Sequence, residues 1–291
     1  MPEGLTPGRL ILVPTPLGNL GDLTHRAVEA LRTADLVACE DTRRTGRLLS
    51  HLGLERPLLR FDDHAPESSV HRLRDALEAG KRVAYCSDAG MPGINDPGFE
   101  LARMARSIGA DVEVLPGPSA VTLAVVASGL PTHAFAFLGY VPARQEPRRN
   151  FLRALAGREE TTVLFVSPHQ IADVLEDLAE LMPDREMALG RELTKLHETW
   201  YRGRAEDIRR ALGSEQRGEM VLVLAGAAAK RTLAPGASVL EGDEELPAWG
   251  EAFLRAAREG GMTLREAVKP LARHLGRSPS ELYRLATRMS E

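Results

Sequence analysis

Three stretches of this chain carry residues whose types and spacing suit chemistry. The first is Ser87-Asp-Ala-Gly-Met-Pro-Gly-Ile-Asn-Asp-Pro-Gly98. Its glycines let backbone approach a ligand closely, and its prolines hold one loop shape. The second is Glu40-Asp41-Thr42-Arg43-Arg44, adjacent acids followed by two arginines. Such acids either complement the dipole of a helix start or serve a reaction, and local sequence does not separate the two. The third is Arg191-Glu-Leu-Thr-Lys195. Lysine occurs at only four positions, 81, 195, 230 and 269, in a chain whose other basic residues are arginines. Lys195 therefore hints at a need for a compact ammonium or a titratable amine.

The elements that position these residues are legible from periodicity. Arg82-Val-Ala-Tyr-Cys86 reads as a buried strand feeding the central loop. Leu101, Met104, Ala105 and Ile108 then mark a helix, with Asp96 as its cap and Pro97 in its first turn. A long Gly- and Pro-rich connection between a strand end and a helix start is where open α/β sheets bind ligands. Leu10-Ile-Leu-Val13 and Asp35-Leu-Val-Ala-Cys39 are further strands. The first leads through Pro14 to Gly21 into a helix capped by Asp22 or Thr24, and the second runs directly into Glu40. Val112-Glu-Val-Leu115 leads through Pro116-Gly-Pro-Ser119 into a helix, Ala120 to Ser128, that is apolar nearly all round and so expected to be buried. Alternating strands and helices predict a parallel or mostly parallel sheet. A second α/β half follows, with strands at 134–138, 162–166, 186–189 and 220–224 and a basic stretch, 144–153, between the first two. Residues 229–247 read as a linker. The remainder is helical, with capping boxes Thr263-x-x-Glu266 and Ser278-x-x-Glu281. From Ala248 onward eight basic residues stand against five acidic ones, in a chain of formal net charge -4. That part reads equally as a helix-turn-helix module or as a docking bundle with solvated charges.

At 291 residues, 27% charged and 43% hydrophobic, the composition is that of a globular protein of about two domains. No apolar run approaches the roughly 20 residues that span a membrane, and the first residues lack the form of a signal peptide, so the expectation is a cytoplasmic protein. Cys39 and Cys86 make neither a disulfide framework nor a zinc site, and no metal is expected.

These motifs, in this order, resemble the tetrapyrrole methylase superfamily, and within it the branch that methylates ribosomal RNA. The matching stretches are Val13-Pro-Thr-Pro-Leu-Gly-Asn-Leu20, Glu40-Asp-Thr-Arg43, Ser87 to Gly98, Pro116-Gly-Pro-Ser119, Ser167-Pro-His169, Arg191-Glu-Leu-Thr-Lys195 and Gly218-Glu-Met-Val221. Departures are Met91 where the family usually has Thr, Asp62 where His is common, Ala65 for Asn, and no Tyr-Glu pair at Val166. The resemblance implies two α/β methylase domains, 1–118 and 119–228, with the cofactor cleft between them, then the linker and a C-terminal helical module, 248–291. It implies S-adenosyl-L-methionine as cofactor, a homodimer, and transfer of a methyl group to the ribose 2'-oxygen of a cytidine in the decoding region of small-subunit (16S) ribosomal RNA. The candidate cofactor-binding residues are Leu17, Gly18, Asp88, Ala89, Gly90, Pro92, Ile94, Pro116, Gly117, Ser119 and Ala120. The catalytic candidates are Glu40, Asp41, Arg43, Glu192 and Lys195. Lys195 is favoured, as a cation beside the developing alkoxide or as a base of lowered pKa, with Asp41 orienting it or acting as the alternative base. RNA-binding candidates are Arg43, Arg44, Arg148, Arg149, Arg273, Arg277 and Arg284. The rival readings are a small-molecule methyltransferase acting on a tetrapyrrole, a non-catalytic ribosome-assembly factor, and a nucleotide-binding regulator.

Overall fold

The computed structural model describes residues 7–213, 217–227, 253–255, 257, 261–275, 282–283 and 286–287. The chain divides into two units, Met1–Thr232 and Leu233–Glu291.

The first sheet contains β1 (Arg9–Leu12), β2 (Leu36–Cys39), β3 (Leu58–Arg60), β4 (Arg82–Cys86) and β5 (Asp111–Val114), ordered β3-β2-β4-β1-β5. All its pairings are parallel. The two-residue period of a strand sends alternate side chains to opposite faces, and the two cores separate accordingly. Leu10, Leu12, Ala38, Val83 and Tyr85 pack with Leu73, Leu77 and Leu101 from α3 (Glu67–Glu78) and α4 (Gly98–Ser107). Ile11, Val37, Cys39, Ala84 and Cys86 pack with Leu31 and Leu49 from α1 (His25–Thr33) and α2 (Thr42–His51). Each fully buried leucine contributes roughly 1.5–3 kcal/mol to such a core. Cys39 and Cys86 are buried, unbridged and directly opposite in register. Burial pushes both thiols up.

The second sheet follows α5 (Ala120–Ser128). It contains β6 (Phe135–Tyr140), β7 (Thr161–Val166), β8 (Met187–Arg191), β9 (Thr199–Gly203) and β10 (Met220–Leu224), ordered β6-β7-β10-β8-β9. Only β6 and β7 pair in parallel; β10 runs against both β7 and β8, and β9 against β8. One face is covered by α6 (Gln145–Ala154), α7 (Ile171–Leu181) and α8 (Ala205–Leu212), and α5 packs on the other. In the second unit, α9 (Leu264–Leu275) follows a capping box in which Thr263 N–H donates to Glu266 Oε2 at 2.9 Å and Glu266 N–H donates to Thr263 Oγ1 at 3.3 Å. Ala267, Val268, Leu271 and Ala272 bury one stripe of it with Leu254, Leu282 and Ala286.

Several sequence expectations change here. The N-cap of α4 is Pro97, not Asp96. The Asp96 carboxylate instead accepts from the N–H groups of both Gly93 and Gly98, which ties the loop to the helix start. Ser119 occupies the N-cap of α5 without a side-chain capping bond. α5 is not buried all round: Val121, Ala124, Val125 and Ser128 are buried and Ala120 and Leu123 pack partly against the core, while Val126 on the far side is 75% exposed. The basic stretch 144–153 is mostly the helix α6; β9 and α8 have no counterpart among the expected elements, although Ala205, Ile208 and Leu212 stand at helical spacing. The linker 229–247 and the second capping box, Ser278 to Glu281, lie outside the described residues.

Candidate functional site

The carboxyl ends of β1, β4 and β5 carry three loops that converge on Gly90. Thr15 and Gly90 exchange backbone hydrogen bonds, each N–H···O at 3.0 Å. Thr15 Oγ1 donates to the Ser87 carbonyl at 3.1 Å, and Ser87 Oγ donates to the Gly90 carbonyl at 3.3 Å. Gly90 has φ +84°, and a Cβ there would stand 3.0 Å from the Leu17 side chain and 3.8 Å from the Pro118 carbonyl. A Cβ at Gly117 would stand 2.6 Å from Pro14. The candidates Leu17, Gly90 and Gly117 are thus brought together, with Pro118 beside them. Asp88, Ala89, Pro92 and Ile94 lie on the same central loop, and Pro116, Ser119 and Ala120 on the loop and first turn leading into α5. Close backbone, an aliphatic side chain and proline rings make a surface for an amphiphilic nucleoside-like ligand.

A second connection joins β2 to β4. Asp88 N–H donates to Glu40 Oε1 at 2.7 Å, and Asp41 N–H donates to Asp88 Oδ1 at 3.2 Å. Arg44 pairs with Asp88 at 3.3 Å. Burial holds the Glu40 carboxyl above the usual range; the Asp88 N–H bond opposes this, and the Asp96, Asp88 and Asp63 charges add to it. Asp41 behaves oppositely. Its side chain caps α2 by accepting from Arg43 N–H at 2.8 Å, and it binds the Arg43 guanidinium through both oxygens. Those bonds, the guanidinium first, hold its carboxyl well below the usual carboxylate range. A carboxylate so satisfied is a poor proton acceptor at neutral pH, which removes the physical ground for Asp41 as the alternative base.

Lys195 sits on the loop after β8, at the carboxyl end of that strand and beside the start of β10. Its ammonium donates to Glu192 Oε1 at 2.8 Å and to Glu219 Oε2 at 3.2 Å. Glu219 N–H also donates to Glu192 Oε1, at 2.8 Å. Glu192 and Thr194 hold positive φ, +53° and +64°, uncommon for side chains other than Gly, Asn or Asp. Such strain marks a loop whose shape is over-determined by its bonds. Burial alone would lower the Lys195 pKa, but the hydrogen bond to Glu192 and the charge of Glu219 outweigh it, and the net shift is upward. The reading of Lys195 as a base of lowered pKa is therefore corrected: the amine stays a cation. The same bond pulls the Glu192 carboxyl down. The Lys195 stem lies against the loop of the first sheet, since a Cβ at Gly18 would stand 2.1 Å from Lys195 Cγ. Lys195 thereby spans from the second sheet to the loop holding Leu17.

The arginine candidates divide. Arg43 and Arg44 are exposed on α2. Arg148 is only 5% exposed and is spent on Asp177 at 2.6 Å and Asp173 at 3.1 Å. Arg149 pairs with Asp177 and Glu180. These ion pairs join α6 to α7, so Arg148 is not presented to a polyanion, contrary to the expectation from its basic neighbourhood. Arg273 lies on α9, and Arg277 and Arg284 lie outside the described residues. Glu219 joins the candidate site without having been singled out by sequence reasoning: it stands within the stretch Gly218-Glu-Met-Val221, but only the pairing of β10 with β8 carries it to Lys195.

Two α/β sheets whose strand-end loops meet, one bringing glycine-rich backbone together and the other holding a cation, make this an α/β protein with a candidate ligand site at that junction. The family model of Tetrapyrrole (Corrin/Porphyrin) Methylases matches residues 9–209, and the chain belongs to that family. Among its relatives are two proteins called Ribosomal RNA small subunit methyltransferase I. The one from Synechocystis sp. is 37% identical over 285 residues, covering 96% of this chain and 97% of that protein. The one from Thermotoga maritima is 42% identical over 220 residues, covering 75% and 99%. Among solved structures, a uroporphyrin-III-C-methyltransferase from Thermus thermophilus has TM-score 0.56 at 27% identity over 75% of this chain and 94% of that one. Diphthine synthase shares the fold, with TM-score 0.59 at 20% identity, covering 75% and 90%.

Proposed function

We propose that this protein is an S-adenosyl-L-methionine-dependent methyltransferase acting on the ribose 2'-oxygen of a cytidine in small-subunit (16S) ribosomal RNA. The relatives' name supports the RNA substrate. A uroporphyrin-III C-methyltransferase of the same fold, solved with S-adenosyl homocysteine, supports the cofactor. The observation that carries the reading is the Lys195 ammonium, held by Glu192 and Glu219 and laid against Gly18 beside the backbone cradle.

The residues present fit such a cofactor. Gly90 and Gly117 let the cradle loops close on the Leu17 side chain, the Pro118 carbonyl and the Pro14 ring, so backbone groups and an aliphatic side chain lie together at the strand ends. Bound there, S-adenosyl-L-methionine supplies a methyl group already activated on a positively charged sulfur. The chain's own residues then position and polarise. The clasp between Thr15 and Gly90 fixes two cradle loops against each other, and alignment of this kind supplies roughly 7–11 kcal/mol of a barrier. Lys195 stabilises negative charge developing on the 2'-oxygen as its proton leaves, as a preorganised cation does most strongly where water is excluded. Glu40, with its raised proton affinity, is a better-matched proton acceptor than Asp41. Arg43, Arg44 and the arginines of the C-terminal module, Arg273, Arg277 and Arg284, contact phosphates. The protein acts as a cytoplasmic homodimer on the small subunit.

The test is transfer of radiolabelled methyl from S-adenosyl-L-methionine to small subunits lacking their native modifications, with the label mapped by nuclease digestion. Label on a single cytidine 2'-oxygen is expected. Unlabelled RNA from an enzyme that still binds the cofactor would overturn the reading and favour a small-molecule acceptor.

A further inference from the structure

β6 contains a bulge with a consequence for the site. Phe135, Ala136 and Phe137 pair in register with Thr161, Thr162 and Val163, but Tyr140 pairs with Phe165. One extra residue is thus inserted in β6, at Gly139, whose φ is +74°. In a regular strand, residues three apart point to opposite faces. Here the inserted residue turns Tyr140 onto the face that Phe137 occupies, and both rings meet Phe165, at centroid distances of 5.3 and 4.8 Å. Bulges re-aim side chains in this way beside active sites.

Phe137 and Phe165 pack against the core that also holds α5 and Leu193, so they form a fixed base. Tyr140 stands on that base yet is 54% exposed. Its contact with Phe165 is edge-to-face, at 62°, which occupies at most one face of the tyrosine ring. The location is the strand end where Lys195 is held. Phe165 is one residue from Val166, which pairs with Met220, and Glu219 precedes Met220 and binds Lys195. The Glu219 charge reaches the Tyr140 hydroxyl and, after burial, helps push its pKa up.

We infer that Tyr140 is a stacking platform for a nucleobase of the RNA substrate, placed by the Gly139 bulge beside Lys195. This rests on the RNA reading above and deepens it. A nucleobase is the fitting occupant because its face is planar and aromatic and must lie within a few ångströms of the ribose whose oxygen Lys195 serves. Stacking of a base on an aromatic side chain is sequence-tolerant and is lost when the ring is removed.

The experiment compares the parent with Tyr140→Ala, Tyr140→Leu and Tyr140→Phe on unmodified small subunits. It measures KM for RNA, kcat, cofactor affinity by calorimetry, and mass in solution. The expected result is a KM for RNA raised roughly 5- to 150-fold in the Ala and Leu variants, with kcat changed less. Tyr140→Phe keeps the parental KM, because stacking needs the ring and not the hydroxyl. Cofactor affinity and oligomeric state stay parental. A parental KM in folded Ala or Leu variants would overturn this inference while leaving the RNA methylation reading intact. Loss of cofactor affinity, or of the dimer, would equally overturn it, by assigning the ring to the cofactor or to a second copy. A parent that labels no RNA would overturn the function and this inference together.

Discussion

Gly18 offers the sharpest probe of how the two sheets cooperate. A Cβ added there would stand 2.1 Å from Lys195 Cγ. Carbon atoms settle at about 3.5–4.0 Å, so Gly18→Ala demands roughly 1.4–1.9 Å of displacement. The Lys195 stem is flexible and gives way more cheaply than the loop, so the fold survives. The ammonium does not keep its place, because it is held at 2.8 Å from Glu192 and 3.2 Å from Glu219 through that stem. A misplacement of about 1 Å at a reacting centre costs on the order of 100-fold in rate. Gly18→Ala is therefore expected to lower kcat for methyl transfer about 100-fold while moving the thermal midpoint by no more than a few degrees. Gly157→Ala is the matched control, since a Cβ there meets nothing within 4 Å. Single-turnover transfer to unmodified small subunits, with cofactor affinity measured separately, reads the effect. A folded Gly18→Ala protein with parental kcat would refute the claim that the placement of Lys195 limits the reaction.

Four further outcomes are expected. Arg148→Ala leaves the buried Asp177 carboxylate with Arg149 but without Arg148, and should cost less than the roughly 3–5 kcal/mol of a fully unpaired buried charge, read by urea unfolding. Its KM for RNA at a permissive temperature should stay parental, and a raised KM there would restore Arg148 as an RNA contact. Glu192 has a lowered pKa and Lys195 a raised one, so their pairing stabilises the fold between their ordinary values, 4.5 and 10.5. That contribution disappears as pH falls through the folded Glu192 value or rises through the folded Lys195 value, and Lys195→Met should flatten both limbs of the urea-midpoint profile. Glu40 has the opposite sign to Glu192. Its folded pKa lies above 4.5, so the native state keeps its proton longer than the unfolded chain and loses stability as pH rises through that window. Glu40→Gln removes this slope, and an unchanged slope above pH 4.5 would contradict the assigned burial effect. RNA binding should weaken steeply with salt, and replacing Arg273, Arg277 and Arg284 together by alanine should reduce the log–log slope by roughly 0.7–0.9 for each phosphate left unneutralised. A salt-insensitive parent would count against an electrostatic footprint.

Much of this protein is determined by sequence period and loop chemistry alone. Leu10-Ile-Leu-Val13 and Arg82-Val-Ala-Tyr-Cys86 declare buried strands because both faces of a parallel sheet are covered, so nearly every position is apolar. The Gly- and Pro-rich loops mark the candidate cradle because glycine lets the loops after β1, β4 and β5 close on one another. Thr24 and Thr263 declare helix starts through hydroxyls that accept from the N–H three residues on. What local pattern does not carry is partnership between distant residues. Arg148 looks like a free basic residue in a basic stretch until α7 brings Asp177 against it. Asp41 and Glu40 are neighbours of one chemistry, yet one is tied to Arg43 and the other is half-buried against Asp88. The local bonds to Arg43 pull Asp41 down, while burial against the loop after β4 pushes Glu40 up, and only the second of these needs the folded sheet. Lys195 stands out by rarity and its nearer carboxylate, Glu192, is local, but the second one, Glu219, reaches it only because β10 lies between β7 and β8. Tyr140 is invisible to periodicity because a single inserted residue, Gly139, reverses which face it meets, and the register of a strand against its neighbour exists only in the folded sheet.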